Sequence, residues 1–522
     1  MPPGNDDYPP YKMTLSETYD QNRVENAKRR LLRNSFFNSS SWVINSAIQL
    51  LMIPFLVRHL GMDGFGIYFL LVNIIGYSVL ADLGLGQGVI KFVAEMKARG
   101  DVQALNRSVS AALWVQTLLG GVGMTLLIVF SRRLLLLLKI PPVALAAAQA
   151  SLYLCAVAFF FTMISGTFMS VLMGLQRYDL TSRTTIATNL AMNAGIVFVV
   201  LAGGGIKLAV AVTATFSIVN CLIFFILMKK KIPALTLFAA FDLVHFKKLF
   251  GFSGYIFISR ISSFFCNYIL VFMVSFFLGP AVVPLYAIPL RLTNGATGLV
   301  STVTTVIFPY ASEISIEASR EKINGVLIQG SRLAAAIAIP LNLAIAAFAK
   351  PILTVWMGNA FADLAAPILS LLGLISLLGS LTMIPNLITM GLGFARVISV
   401  FSLLILVFFL VFVPLGLMVF GVYGASWAVL VSIVPGLILV VYEVKKIFAL
   451  PFWHYAREVL GFHLLPILLT LVYFTFWRGW LPCAGIWLLA LPAFYLALYF
   501  SAQIICGQLP LKKIAASLKT AR

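Results

Sequence analysis

The sequence predicts an all-α polytopic membrane protein of about fourteen transmembrane helices. They form two six-helix bundles related by a parallel internal repeat, with two extra helices at the C-terminal end. Three observations carry this reading. Only 10% of the 522 residues are charged and 61% are hydrophobic, whereas a soluble globular domain carries about 25% charged residues. The apolar residues gather into runs of the roughly 20 residues that a helix needs to cross the hydrocarbon core. Short motifs recur in order at a nearly constant offset. The first observation, with a mean hydropathy of +1.01, excludes a soluble enzyme, a secreted disulfide scaffold and a nucleic-acid-binding domain.

The elements follow in order. Residues 1–34 are polar and end in Lys28-Arg29-Arg30 and Arg33. They predict a cytoplasmic N-terminal tail, disordered over about its first 25 residues, with no cleavable signal peptide. Apolar runs then fall near 36–57, 65–90, 108–131, 144–172, 180–202 and 207–228, giving an N-terminal bundle over 35–231. The linker 232–251 is cytoplasmic, and its stretch from Leu237 to Phe250 is amphipathic, as a segment lying in the membrane interface would be. Runs near 252–278, 284–310, 326–349, 363–390, 394–417 and 421–442 give a C-terminal bundle over 252–446. Residues 447–522 hold two additional spans, near 458–477 and 483–506, and a basic tail. Prolines inside the spans, among them Pro54, Pro289, Pro340, Pro385 and Pro414, predict bent helices where neighbours or cavity water satisfy the freed backbone groups.

The net charge of +20, from 37 Lys and Arg against 17 Asp and Glu, is distributed by side. Most basic residues fall on the side of the N terminus and its equivalent loops, which places both termini in the cytoplasm by the positive-inside rule. The same excess favours anionic lipid headgroups, so membrane lipid is an expected partner and nucleic acid is not. Cys155, Cys221, Cys266, Cys483 and Cys506 form no CxxC pair, and the four histidines lack ligand spacing. Neither a disulfide framework nor a metal site is expected. Gly203-Gly204-Gly205 is a turn between spans, and no Walker signature occurs, so no nucleotide or other cofactor is expected.

The repeat has an offset of about 218 residues. Leu60-Gly61 followed by Tyr68 matches Leu278-Gly279 followed by Tyr286. Arg29-Arg30-Leu31 matches Lys247-Lys248-Leu249, and Phe92-Val93-Ala94-Glu95 matches Tyr310-Ala311-Ser312-Glu313. Met173-Gly174-Leu175 matches Met390-Gly391-Leu392, and Lys229-Lys230 matches Lys445-Lys446. An even number of spans in each half gives the halves the same orientation, and two such bundles can rock about a central cleft.

A family resemblance rests on several stretches. They are Arg33-Asn34-Ser35 through Leu60-Gly61, Gly64-Phe65-Gly66-Ile67-Tyr68, and Asp82-Leu83-Gly84-Leu85-Gly86 leading to Lys91-Phe92-Val93-Ala94-Glu95. Gly174-Leu175-Gln176-Arg177-Tyr178 and Phe246-Lys247-Lys248-Leu249-Phe250-Gly251 extend it. These resemble the polysaccharide-biosynthesis, Wzx-like oligosaccharide flippases of the MOP (multidrug/oligosaccharidyl-lipid/polysaccharide) exporter superfamily, over roughly the first twelve spans. The resemblance implies two lobes and a substrate that is an oligosaccharide on a polyprenyl pyrophosphate. Polysaccharide polymerase and export proteins are further candidate partners.

Charge within the spans narrows the site. A charge near the bilayer centre costs about 2.5–3.5 kcal/mol on insertion scales. Arg260 and Arg291 are so placed, with Asn267 two turns from Arg260 and Asn73 the repeat counterpart of Arg291. Arginine offers bidentate donors to a pyrophosphate, so the two define a candidate cationic cleft. The alternative is that each snorkels to an interface or bonds a helix-end carbonyl. Asn45 and Gln49 share a face of the first span and line a sugar path or, on the plainer reading, bond neighbouring helices. Asp82, within a glycine-rich stretch, is a candidate for ion coupling, for capping the following helix, or for pairing with Lys91. Glu95 and its repeat counterpart Glu313 stabilise cytoplasmic loops or latch an inner gate.

The expected function is a non-enzymatic flippase of the plasma (inner) membrane working by alternating access. A multidrug cation antiporter of the same superfamily is the first alternative, disfavoured because the deep charges are mostly basic. A membrane-embedded glycan polymerase or ligase is the second, disfavoured by short exoplasmic loops that carry only Asp63 and Asp363 as acids.

Overall fold

No proline or glycine interrupts residues 17–53, and good helix formers fill the polar part of that stretch. In the computed structural model the first helix accordingly begins well before the membrane run: α1 is Glu17–Gly76. The disordered tail expected over about the first 25 residues is thus corrected from Glu17 onward, and residues 1–16 lie outside the described residues. The structure describes residues 17–78, 82, 84–99, 101–233, 236, 265, 269–304, 320–464, 468 and 490–505, with side chains in α1 from residue 40. Most of the linker 232–251, most of the seventh expected span, most of the thirteenth and the first part of the fourteenth lie outside the described residues.

The described chain is helical throughout. After α1 come α2 (Leu85–Arg99), α3 (Val102–Val129), α4 (Ser131–Leu137), α5 (Pro142–Gly174), α6 (Tyr178–Leu201) and α7 (Ile206–Lys231). The second half holds α8 (Leu270–Leu278), α9 (Val283–Thr304), α10 (Arg320–Ala347), α11 (Ala349–Met357), α12 (Asn359–Gly391), α13 (Ala395–Ser432) and α14 (Val434–Tyr442). A π-helical turn, Glu443–Ile447, then leads to α15 (Phe452–Leu460) and α16 (Ala490–Ile505). Among the described residues, eight helices are long and apolar enough to cross a membrane. Two of them, Ser40–Gly76 and Arg396–Ile447, are 37 and 52 residues long. Each holds two of the expected spans, because one crossing needs only about 20 residues.

Those double spans fold back at glycine. Gly61 (φ 73, ψ 173) breaks α1 and Gly421 (φ 60, ψ −144) breaks α13, in conformations that a Cβ opposes. Eight of the ten left-handed residues among those described fall in pairs. Gly61, Lys139, Gln176 and Gly203 are matched by Gly279, Gly358, Gly393 and Gly421, each at an offset within about one residue of the sequence repeat. Helix lengths obey the same rule: α3 and α10 each have 28 residues, and α5 and α12 each have 33. The internal repeat is therefore a repeat of structure. Within each half the fourth long helix is central, with α5 packed on α3 and α7, and α12 packed on α10 and α13.

One expected span is corrected. Residues 65–90 were expected to form a single helix, but α1 ends at Gly76 and α2 starts at Leu85, with Gly84 left-handed between them. Three glycines near this point remove side-chain packing and weaken helical propensity. Asp82 then accepts the Gly86 amide at 3.2 Å, giving the backbone a cap in place of a continuous helix.

Candidate substrate cleft

The two halves meet along α1 and α9. In α9 the polar residues Arg291, Thr293, Asn294 and Thr297 lower its hydropathy, and it is not among the eight strongly apolar helices. A polar stripe on a membrane helix needs a cavity or a partner, and α9 has both. A cavity of about 340 Å³ lies between α1, the end of α5, the start of α6 and α9. Arg291, Asn45, Gln49, Thr181 and Thr185 are on its walls. A second cavity of about 150 Å³ reaches toward the Gly61 kink, bounded by Leu56, Phe65, Phe69, Asn73, Asn189 and Asn193. The two share Asn45, Gln49 and Arg291.

Arg291 is the junction. Its Nη1 donates to Gln49 Oε1 at 2.8 Å, across the halves. Its guanidinium sits 5.2 Å from the Phe69 ring centroid, within cation–π range. Asn45 accepts from Asn189 Nδ2 at 2.9 Å and donates to Ser41 at 3.3 Å. Asn73 donates to the Phe69 carbonyl one turn back, at 2.8 Å. Among the described residues, Arg291 is the one charged side chain on either cavity wall. The remaining polar groups are carboxamides and hydroxyls, which both donate and accept.

The structure thus brings Arg291, Asn45, Gln49 and Asn73 together. It separates Asp82, Lys91 and Glu95 from them. Asp82 receives a hydrogen bond from buried Gln116 as well as from Gly86. Lys91 is exposed, its Nζ 5.8 Å from the Phe92 ring. Glu95 pairs with Arg99 at 2.8 Å on the surface of α2. Arg260, Asn267 and Glu313 lie outside the described residues.

Sequence reasoning missed one wall. Thr181, Thr185, Asn189 and Asn193 recur every fourth residue along α6, a spacing that places them on one face. The signal is a polar stripe without charge, in a span for which the sequence offers no charged site candidate.

Past the inner cavity the halves are fastened together. Lys139 Nζ donates to the Phe277 carbonyl and Ser275 Oγ to the Leu138 carbonyl, each at 2.7 Å. Beside the wide cavity, where Leu50 is a wall residue, Trp356 Nε1 donates to the Leu50 carbonyl at 3.1 Å. Gly66 meets the Pro280 carbonyl so closely that a Cβ would overlap it. At the opposite end of the wide cavity the Trp42 ring lies flush on Gly298. Nearby, Arg177 bonds both oxygens of Asp179 at 2.9 Å, ordering the turn into α6; that bond raises the Arg177 pKa further.

Two kinked, structurally repeated helical halves around a polar cleft define a membrane protein with the fold of the MOP exporters. The lipid II flippase MurJ, in an inward closed conformation, superposes with a TM-score of 0.71 at 17% identity, covering 91% of this chain and 98% of that one. An inward-facing MATE-family multidrug resistance transporter of the MOP superfamily gives 0.63 at 13% identity, covering 79% and 95%. Residues 31–315 match the family model described as polysaccharide biosynthesis protein, and the chain belongs to that family. It is 24% identical over 403 residues to a putative O-antigen transporter of Shigella flexneri, covering 76% of this chain and 94% of the relative. An uncharacterized membrane protein of Bacillus subtilis, EpsK, is 23% identical over 336 residues.

Proposed function

We propose that this protein is a polysaccharide transporter of the MOP superfamily, and specifically a flippase for polyprenyl-pyrophosphate-linked oligosaccharide. The family membership and the relative named as an O-antigen transporter support the broader reading. One observation carries the finer one: among the described residues, Arg291 is the one charged side chain at the junction of two cavities, and carboxamides and hydroxyls punctuate their otherwise apolar walls. A diphosphate finds a bidentate cationic donor there, and sugar hydroxyls find groups that exchange hydrogen bonds with them. A cationic drug would meet a like charge and no carboxylate on these walls, which disfavours an antiporter of such drugs.

The mechanism follows from the cleft. The basic excess orients both termini to the cytoplasm, so the wide cavity faces the cytoplasm and the Lys139–Phe277 seal faces outward. The headgroup enters from the cytoplasm with its pyrophosphate at Arg291, assisted by Arg260. The polyprenyl tail stays in lipid. Rocking of the halves breaks the outer seal, narrows the wide cavity behind the Trp42–Gly298 contact, and releases the glycan outside. Polymerase and export proteins then consume it.

The test is binding of a polyprenyl-pyrophosphate oligosaccharide from the host's lipid extract to the purified protein in nanodiscs. Arg291→Ala is expected to weaken binding by about tenfold or more, with Arg291→Lys intermediate, because lysine is a point charge without the planar fork. Equal binding by wild type and Arg291→Ala, with both folded, would remove Arg291 from the site.

A further inference from the structure

Glu443 stands apart from every other acid in the described chain. It is fully buried in the π-helical turn that ends the long span Arg396–Ile447, and neither carboxylate oxygen has a hydrogen-bond partner. Lys445 and Lys446, in the same turn, are exposed. The chain therefore reaches water within two residues, yet turns this carboxyl group inward. Single π-helical turns recur at functional sites, and an ionisable group buried in a membrane protein points to a pathway or a relay. The repeat counterpart in the first half lies near Phe225 and Leu227, so the group belongs to one lobe only.

Its surroundings offer no counter-charge among the described residues. From α12 the neighbour is Thr389, whose hydroxyl makes no hydrogen bond of good geometry either. The one acid of α12, Asp363, lies at the far end of that helix, paired with Lys350 at 2.8 Å. Helix α14 carries no charged residue. From α15 the facing titratable group is Tyr455, whose hydroxyl donates to Ser331 at 2.9 Å. Burial pushes that hydroxyl up to about 12, so it stays neutral. His454 and Arg457 of α15 are exposed, and Glu458 is held by Arg332 of α10. A carboxyl group so enclosed is compatible with burial as the neutral acid and not as the bare anion.

A physical route connects it to the cleft. Helix α12, which carries Thr389, also carries Ser376, whose hydroxyl bonds Thr297 Oγ1 at 2.7 Å. Thr297 lies on α9, the helix of Arg291. We propose that Glu443 is a proton-binding site coupled to the cleft. The carboxyl group binds a proton from the cytoplasmic side while packed on α12. It releases that proton to water, becoming carboxylate, when the turn swings outward, and α12 passes the change to α9. No site on the substrate path is involved, so the inference does not depend on which glycan is carried.

The test is infrared spectroscopy of the purified full-length protein, read at the carbonyl stretch of a protonated carboxylic acid. Wild type is expected to show such a band at neutral pH that disappears only on alkaline titration, to lose it in Glu443→Gln, and to shift it in Glu443→Asp. In a deletion strain, Glu443→Gln is expected to lower surface polysaccharide by about tenfold or more, while Glu443→Asp retains part of it. Absence of a band sensitive to these variants at neutral pH would overturn the proposal. So would full export by Glu443→Gln. Replacing potassium by sodium at constant pH supplies the remaining arm: loss of the band on adding sodium would make this a sodium site and refute the proton. The infrared result stands whatever the cargo, so its failure is separable from failure of the flippase reading.

Discussion

At the scale of single residues, two side chains with similar claims in the sequence have different surroundings in the structure. Arg291 bridges the halves through Gln49 and lies on both cavity walls. Asp82 lies outside both, its carboxylate occupied by the Gly86 amide and Gln116. We expect Asp82→Ala to lower stability by about 1 kcal/mol, the worth of an N-cap, and to leave export in the deletion strain near wild type. Thermal unfolding in detergent and surface-polysaccharide assays read the two quantities. Full loss of export by a stably folded Asp82→Ala protein would return Asp82 to the ion-coupling role. Arg291 was legible because a charge in an apolar run is conspicuous. Glu443 was not: beside Lys445 and Lys446 it reads as one more charge at the membrane surface, and only the π turn shows that it faces inward.

At the scale of elements, the recurring left-handed turns explain why two halves of low sequence similarity share one geometry. The Leu-Gly turns at Gly61 and Gly279 were visible because both copies use glycine. The pairs Lys139 with Gly358 and Gln176 with Gly393 were not, since the conformation is kept while the residue changes. Gly421 is the sharpest test among these turns, since φ 60 with ψ −144 is a region that residues with a Cβ avoid. Gly421→Ala is expected to destabilise the protein by about 1–3 kcal/mol, seen as a lowered unfolding midpoint. An unchanged midpoint would mean that the chain relaxes there without strain. The break between α1 and α2 was foreshadowed by the glycines around Asp82, but hydropathy alone joined the two helices, because it measures apolarity and is blind to backbone continuity. The polar stripe of α6 was overlooked for another reason: its threonines and asparagines are spaced a turn apart among apolar residues, so the window average stays apolar although one face is polar.

At the scale of the molecule, the cleft and its seals form one device. The carbonyl contacts made by Lys139 and Ser275 fasten the halves beyond the inner cavity, while the wide cavity lies on the other side of Arg291. Rocking requires those contacts to part. Spin labels at exposed Val143 and Phe276, near the two sides of the seal, are expected to give one short distance in the free protein. A second, longer population should appear when lipid-linked oligosaccharide is added. A single unchanged distance across both conditions would rule out opening at this end. The membrane class and the repeat were legible in composition and motif order, because the bilayer imposes apolar helices on every crossing segment. The shape of the cleft was not, since it depends on which polar faces of separate helices meet.

We propose above that this chain moves a finished, lipid-linked glycan across the membrane. It is tested most directly by mass spectrometry of lipids extracted from a deletion strain, with the leaflet of the glycan read by enzymatic access in intact spheroplasts. A complete polyprenyl-pyrophosphate oligosaccharide is expected to accumulate on the cytoplasmic face, and to clear on expression of wild type but not of Arg291→Ala. Accumulation of single repeat units on the outer leaflet would contradict it and assign the protein to polymerisation or ligation.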